Sequence, residues 1–264
     1  MNSRIVESTR LPRAFPLAFG VLLVGAALRL AGLTVSGLHY DEAFSLTAVR
    51  MGLFEMVSNL TQNISPPGWE VLLWFVTHVL GYTPFAARLV PLLASLATLW
   101  IVFRLTQELE VRAIDQAIAL GLLACMPMQI WIAQDGRVYA IYAFLYTLGV
   151  LWALQGRWLG LTAVMGLLLW CHNTALFFVL TLGLLALLCH PRAWKTIVLA
   201  EIIAALAWIV WLPTLFQQAG TPLWFFPRFT PFHIATNIEA AFFDGALPEG
   251  LPLLGLIVVL VNVS

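Results

Sequence analysis

Two adjacent carboxylates, Asp41 and Glu42, directly follow a long apolar run over residues 15–35. About 20 residues of helix cross the hydrocarbon core of a bilayer, so this run is long enough to span one. A carboxylate held where an apolar wall meets water is partly desolvated, which raises its basicity and suits a general base. The pair could instead only begin a helix at Ala43, because Asp is a favoured N-cap and Glu is favoured in a first turn. Position alone leaves both interpretations open.

A second residue that could take part in binding or catalysis is Arg137. It lies near Asp135 in the segment WIAQDGRVYA, between two further apolar runs. A guanidinium presents a planar fork that matches the oxygens of a phosphate. The same side chain could instead form an interfacial ion pair or extend to the lipid headgroups. A base and a phosphate-binding cation on one face of a membrane would suit transfer from a phosphorylated donor.

Three more polar residues interrupt or border the apolar runs. Arg88, in PFAARLVPLL, could anchor a helix at the headgroups or lie near a phosphate. His172, in LLLWCHNT, lies at the junction of two runs, where a histidine is either a hydrogen-bonded turn residue or a catalytic group. Arg29 lies within the first run, close enough to its end for the side chain to reach the membrane surface. We interpret Arg29 as structural.

The composition predicts a membrane protein. Hydrophobic residues make up 61% of the chain, charged residues make up 10%, and the mean hydropathy is +0.93. Soluble domains carry about 25% charged residues. The runs are continuous instead of alternating, which predicts α-helices and not a β-barrel. The formal net charge is zero, so nothing indicates nucleic-acid binding.

The three cysteines, Cys125, Cys171 and Cys189, all lie in apolar runs without the spacing of metal ligands, and we predict no metal site from them. Asp41 and Glu42 could still hold a divalent cation, although no further ligand cluster supports a dedicated site.

Eight apolar runs are candidate membrane spans within a single domain over residues 1–264. They cover residues 15–35, 84–105, 117–132, 138–154, 158–170, 174–188, 197–212 and 251–263. Several are shorter than the roughly 17 residues that a lone span needs, which predicts tilted or shielded helices. The last run is too short to span and carries no charged flank, so we expect the sequence to be a fragment of a longer membrane protein.

The distribution of Arg and Lys predicts the orientation of these spans. If the N-terminus is cytoplasmic, the loops on that side carry most of the positive charge, as membrane proteins usually show. The residues concerned are Arg4, Arg10, Arg13, Arg104, Arg112, Arg157, Arg192 and Lys195. Asp41, Glu42 and Arg137 then lie on the outer side.

Two segments on the predicted outer side are long. In the first, residues 36–82, apolar residues recur at helical spacing and predict a helix on the membrane surface. These residues are Phe44, Ala48, Met51, Phe54, Val57 and Leu60. Pro66 and Pro67 end that pattern, and WEVLLWFVTHVLG predicts a second surface helix that ends at Gly81. The other segment, residues 213–250, is rich in aromatic residues and proline and predicts a loop or lid.

Five segments occur in a fixed order: LHYDEAFSL, SPPGWEVLL, FAARLVPLL, QDGRVYAIYAFL and LLLWCHNT. In this order they resemble motifs of the GT-C membrane glycosyltransferases, especially the bacterial relatives of protein O-mannosyltransferases and the lipid A aminoarabinose transferases. The likeness covers residues 15–190. It implies an all-α integral membrane protein, a polytopic transmembrane bundle of the GT-C type with surface helices in its first outer loop. It also implies a polyprenyl-phosphate-linked sugar donor and a site on the extracytoplasmic face of a bacterial inner membrane.

The resemblance implies roles for single residues. Asp41 would accept the proton of an acceptor hydroxyl, and Glu42 would assist in positioning or polarising. Arg137, followed by Tyr139, would hold the donor phosphate, where negative charge develops as the sugar bond breaks. The other members of the expected donor-binding set are Asp135, Arg88 and His172. The implied reaction is direct displacement at the anomeric carbon with inversion, and the acceptor would be a protein, a lipid or a glycan.

The chain departs from the family pattern at Ser65, where relatives often carry a basic residue or histidine before the double proline. We therefore expect one phosphate or substrate contact to be missing. Two other functions stay open. The chain could be a transporter or flippase of lipid-linked sugars, which repeated halves and mid-membrane charges would favour. It could also be a non-catalytic fragment or an assembly partner.

Overall fold

The computed structural model describes residues 15–35, 37–61 and 65–219, and all regular secondary structure in these ranges is helical. The helices are α1 (Phe15–Ala31), α2 (Tyr40–Ala48), α3 (Leu53–Leu60), α4 (Gly68–Leu80), α5 (Pro84–Glu108), α6 (Ala113–Cys125), α7 (Pro127–Ala133), α8 (Tyr139–Gln155), α9 (Trp158–Cys171), α10 (Ala175–Cys189), α11 (Trp194–Trp208) and α12 (Leu212–Ala219). Single 3-10 turns, Pro191–Ala193 and Ile209–Trp211, flank α11.

Two helical stretches in the described ranges are long and apolar enough to cross a membrane. They are α5, with 25 residues, and the stretch Pro191–Gln217, with 27 residues, which joins α11 to α12. A third span results if α6 and α7, which meet at a bend of 57°, are counted together. The prediction of an all-helical protein compatible with a membrane is confirmed at this level. The GT-C type of bundle and the orientation in the membrane stay predictions.

Four other predicted spans form helices of 14–17 residues, namely α1, α8, α9 and α10. Helix α1 ends at Ala31 and does not continue to Val35 as predicted. The side chain of Gln134 donates to the carbonyls of Leu28 and Arg29 at 3.1 and 3.0 Å. Because these carbonyls find a partner outside the helix, a further turn of α1 is not needed to satisfy them.

The prediction of one surface helix across residues 43–60 is wrong, because the segment forms two helices. Helix α2 begins at Tyr40 and ends at Ala48, and Gly52 is the N-cap of α3. The apolar residues expected to share one face of that helix also differ in their surroundings, since Met56 is fully buried whereas Phe54 is 90% exposed. The helix predicted after the double proline is confirmed as α4, and it ends one residue before Gly81.

The third predicted span is bent between α6 and α7, and a buried arginine lies at the bend. Pro127 has no N–H to donate to the carbonyl of Leu123, four residues earlier. The guanidinium of Arg29 donates instead to the carbonyls of Leu123 and Ala124 at 3.3 and 2.9 Å, and its Nε donates to Ser95 Oγ at 2.8 Å. Arg29 is 1% exposed, so the expectation that its side chain reaches the membrane surface is wrong. Arg29 is structural because it stabilises the bend.

The main apolar core lies where α8, α9, α10 and α11 pack together, with α5 along α8 and α4 against α9. Leu161, Leu168 and Leu182 are fully buried in it. Gly149 permits the close approach of α8 and α10, because a Cβ there would lie 2.7 Å from Leu182 Cδ1. This packing holds the loops before α8 and after α9 close to α2 and α4.

The last part of the chain differs from the prediction at one point that the structure describes. Helix α12 continues to Ala219, so residues 213–219 are helical and not the start of a loop as predicted. The rest of that predicted loop and the eighth predicted span, residues 251–263, lie outside the described residues.

Candidate functional site

The centre of the site is an ion pair between Glu42 and Arg88, both fully buried. Arg88 donates from Nε to Glu42 Oε1 and from Nη2 to Glu42 Oε2, each at 2.7 Å, in a two-pronged arrangement. The guanidinium also donates to the carbonyls of Leu33 and Gly37 at 2.9 and 2.8 Å. Arg88 therefore ties the start of α5 to the segment between α1 and α2 and does not extend to lipid headgroups.

Glu42 accepts two backbone hydrogen bonds in addition. The N–H of His39 donates to Oε2 at 2.9 Å, and the N–H of Gly136 donates to Oε1 at 2.6 Å. His39 is the N-cap of α2 and Glu42 its third residue, so the first bond is the return half of a capping box. Burial by itself would raise the pKa of Glu42, but the donors Arg88, His39 and Gly136 together hold that pKa below its ordinary value. Glu42 is thus ionised, and each of its oxygens already accepts two hydrogen bonds.

Arg137 lies beside the first turn of α2. Its Nη1 donates to the backbone carbonyl of Asp41 at 3.3 Å and to Ser45 Oγ at 3.0 Å. Its Nε is buried and has no hydrogen-bond partner among the described residues. The structure therefore brings together Asp41 and Arg137, and the guanidinium retains a donor that the protein does not use.

The two aspartates of the site have different surroundings. Asp41 is exposed in the first turn of α2, whereas Asp135 is 4% exposed. Burial, followed by the negative charge of Glu42, raises the pKa of Asp135 to about 6, against the opposing effect of Arg137. Asp135 therefore changes its charge just below neutral pH, and Asp41 is the carboxylate that is open to solvent.

A third buried carboxyl, Glu70, is linked to Arg137 through Ser45. The hydroxyl of Ser45, which accepts from Arg137, donates to Glu70 Oε1 at 3.4 Å. Ser45 is fully buried and Glu70 is 6% exposed. Burial raises the pKa of Glu70, while its own backbone N–H, the charge of Arg137 and the Ser45 hydroxyl act against that rise.

His172 and Tyr139 lie at the edges of this network. The N–H of Thr174 donates to His172 Nδ1 at 3.2 Å, so Nδ1 is an acceptor and Nε2 carries the proton. Burial and then the charge of Arg137 lower the pKa of His172, which keeps the imidazole neutral at pH 7. Tyr139 begins α8 with an exposed side chain, and no hydrogen bond within the described ranges joins it to the network.

The sequence-based predictions do not include Ser45, Glu70 or Gly136. Ser45 lies four residues after Asp41, which places both on neighbouring positions of one helix face. Glu70 is the acidic residue of a mostly apolar helix, which is itself a signal. Gly136 adjoins Arg137, but its N–H contact with Glu42 crosses 94 residues of sequence and has no local signal.

We predict that Gly136→Ala lowers the activity of the site about tenfold or more while the protein still folds. A Cβ at this position would lie 2.9 Å from Glu42 Oε1 and 3.1 Å from the Cβ of Ala87, so the loop that carries Arg137 must shift. The measurement, at matched protein concentration, is the affinity for a phosphate ligand, or the rate of the sugar transfer that the resemblance implies.

The matched control for this prediction is Gly166→Ala, because a Cβ at residue 166 meets no atom within 4 Å. Full activity of Gly136→Ala would show that the approach of residue 136 to Glu42 does not position the loop.

The possible divalent cation at Asp41 and Glu42 finds little support in the geometry, because both oxygens of Glu42 are used by protein donors. In the part of the chain that the structure describes, no group of three or more His, Cys, Asp or Glu side chains could hold a metal ion.

Over the ranges that the structure describes, the fold and site together define an all-helical protein with two or three helices able to span a membrane and a buried carboxylate–guanidinium network beside an exposed aspartate. The sequence matches no protein-family model, and neither a curated protein nor a solved structure matches it. The resemblance to GT-C glycosyltransferases therefore depends on its motif residues alone.

Proposed function

We propose that this chain is an integral membrane glycosyltransferase. It transfers a sugar from a polyprenyl-phosphate-linked donor to an acceptor hydroxyl on the extracytoplasmic face of the cell membrane. The observation that supports this best is the contact between Arg137 and Asp41, in which the guanidinium donates to the backbone carbonyl of Asp41 at 3.3 Å. The proposed phosphate-binding group, Arg137, therefore lies at the residue that we propose as the base, so both can act on one substrate.

In the proposed reaction, Asp41 removes the proton of the acceptor hydroxyl. The acceptor oxygen bonds to the anomeric carbon, and the bond from that carbon to the phosphate oxygen breaks. The electron pair of that bond stays on the phosphate, and the lipid phosphate leaves. Arg137 stabilises the charge that develops on the leaving oxygen, using donors that remain available after its bonds to Asp41 and Ser45.

The remaining residues of the predicted set have supporting roles in this proposal. Glu42 and Arg88 are positioning residues, since both are fully buried and are occupied with one another and with backbone groups. Asp135 contributes a nearby carboxyl whose pKa is about 6. His172 can donate from Nε2 to a sugar hydroxyl or a phosphate oxygen, because Nδ1 accepts from Thr174.

The test is reconstitution of the full chain in proteoliposomes with a panel of polyprenyl-phosphate sugars labelled in the sugar. We expect label to move to a hydroxyl-bearing acceptor, with one molecule of polyprenyl phosphate formed for each sugar transferred. Mass spectrometry of the lipid-linked sugars that accumulate in a deletion strain selects the donor for this assay. Label that stays on the lipid with every donor would contradict the proposal.

A second candidate is a transporter or flippase for lipid-linked sugars, and the bend between α6 and α7 favours it. Interrupted helices with buried charges are typical of transporters, and Arg29 is buried against the broken end of α6. The same proteoliposomes separate the two functions. A flippase moves the labelled donor between leaflets with its sugar–phosphate bond intact, whereas a transferase cleaves that bond.

A further inference from the structure

Glu70 is a buried titratable group that the proposed reaction does not use. It lies in the first turn of α4, and close packing holds that turn in place. A Cβ on Gly68 would collide with the backbone carbonyl oxygen of Trp170, at the end of α9. The first turn of α4, which carries Glu70, is therefore held directly against the end of α9.

Ser45 connects this carboxyl to the guanidinium of Arg137. The single proton of the Ser45 hydroxyl points to Glu70 Oε1, and the hydroxyl oxygen accepts from Arg137 Nη1 at 3.0 Å. Asp41 is exposed, whereas Ser45 and Glu70 are buried. Glu70 is thus the buried carboxyl that a single hydroxyl links to Arg137, the residue that we assign to the donor phosphate.

The charges of the site do not favour an added anion. Two arginines, Arg88 and Arg137, lie among four carboxyls, which are Asp41, Glu42, Asp135 and Glu70. A phosphodiester would add one more negative charge to this buried region. Burying excess charge is costly, and a carboxyl in such surroundings takes up a proton instead. Glu42 cannot do so easily, because four donors hold it ionised.

Several titratable and charged groups lie near α4. The ends of α2, α3, α5 and α9 that pack against it, the C-cap of α9 and the loop before α8 carry Tyr40, Asp41, Glu42, Glu55, Arg88, Cys171, His172, Asp135 and Arg137. The charge that acts directly on Glu70 is that of Arg137. Any anion that neutralises Arg137 therefore removes the cation that favours the ionised form of Glu70.

We propose that Glu70 is the counter-charge of Arg137 in the empty site and takes up a proton from solvent when a phosphodiester binds to Arg137. This inference rests on the proposed function, because it concerns the same phosphate site. Phosphodiester binding is then linked to protonation, and affinity falls as pH rises between the apo and bound pKa values of Glu70. The slope approaches about tenfold per pH unit for one proton.

The experiment uses the full chain in detergent micelles and methyl farnesyl phosphate, a phosphodiester whose single negative charge does not change between pH 5.5 and 8.5. Isothermal titration calorimetry in buffers of different ionisation enthalpy measures both the Kd and the protons taken up. The Asp135→Asn background removes the other carboxyl near Arg137, whose pKa is raised to about 6 and which would also exchange protons in this pH range. We expect proton uptake and a Kd that rises with pH in this background.

In Asp135→Asn/Glu70→Gln we expect a Kd that is nearly independent of pH, with binding at pH 8 about tenfold tighter than in Asp135→Asn alone. The matched control is Glu55→Gln, which makes the same change in the first turn of α3 at an exposed residue and should keep the pH dependence. An unchanged slope in the Glu70→Gln variant would overturn the inference. So would the absence of proton uptake in Asp135→Asn, a measurement that needs no variant of Glu70.

Arg137→Gln separates this inference from the proposed function. Binding of the probe by Arg137→Gln as tight as in the wild type would refute the phosphate site itself. Loss of binding in Arg137→Gln, together with an unchanged slope in the Glu70→Gln variant, would refute only the role of Glu70.

Discussion

If the chain is the proposed transferase, replacing Asp41 by asparagine should lower sugar transfer by about 10²–10⁴-fold, the usual contribution of a general base. Asparagine has nearly the same shape but cannot accept the proton of the acceptor hydroxyl. Asp41 is exposed at the start of α2, so the substitution leaves the fold intact. The measurement is the rate of transfer from a labelled polyprenyl-phosphate sugar in proteoliposomes, with donor affinity measured in parallel. Donor affinity should stay close to that of the wild type, because Arg137 and its contacts are retained.

The matched control is Asp115→Asn, which makes the same change at a partly exposed residue in the first turn of α6. It should transfer at the wild-type rate. Transfer by Asp41→Asn at that same rate would show that Asp41 is not the base. It would leave the helix-start interpretation of the acidic pair as the better one.

The second large effect concerns stability. Arg88→Met should lower the free energy of unfolding by about 3–5 kcal/mol, because it leaves Glu42 buried without its cation. The carbonyls of Leu33 and Gly37 also lose a donor. Thermal or denaturant unfolding in detergent measures the change. The double variant Glu42→Met/Arg88→Met should recover part of the loss, since an apolar pair replaces the buried charges.

The control for the ion pair is Arg112→Met. Arg112 also pairs with a carboxylate, Asp115, but its side chain is 80% exposed, so stability should change little. If Arg88→Met is as stable as Arg112→Met, the buried pair does not hold the site together. Acid gives an independent check. Because the folded pKa of Glu42 is depressed, its stabilising effect is present above its unfolded pKa, about 4.3, and is lost only as pH falls through the folded pKa.

Local pattern predicted the helices well and their ends less well. Continuous apolar runs indicate helices, and most of the predicted runs in the described ranges became helices. The errors occur where a distant group or a single residue decides the outcome. Helix α1 ends where Gln134 satisfies its carbonyls, and Gly52 begins a new helix within a periodic apolar pattern. Periodicity cannot report such contacts, because it contains only neighbours along the chain.

The surroundings of two arginines also depend on contacts that the sequence does not show. From sequence, Arg29 and Arg88 are charges in apolar runs, and the usual expectation is that they reach the membrane surface. Both are fully buried, with Ser95 66 residues from Arg29 and Glu42 46 residues from Arg88. Their partners depend on which helices pack together, and one sequence carries no direct record of that.

The sequence by itself determined the helical, membrane-compatible class of this protein and the kinds of groups at its site, because composition and periodicity depend only on local residue types. Tertiary structure alone decided that Glu42 accepts hydrogen bonds from Arg88 and Gly136, and that Ser45 links Glu70 to Arg137. The physical reason is that hydrogen bonds and charge interactions act over a few ångströms. Only the packing of α2, α4 and α5 with the loop before α8 brings these distant residues within that range.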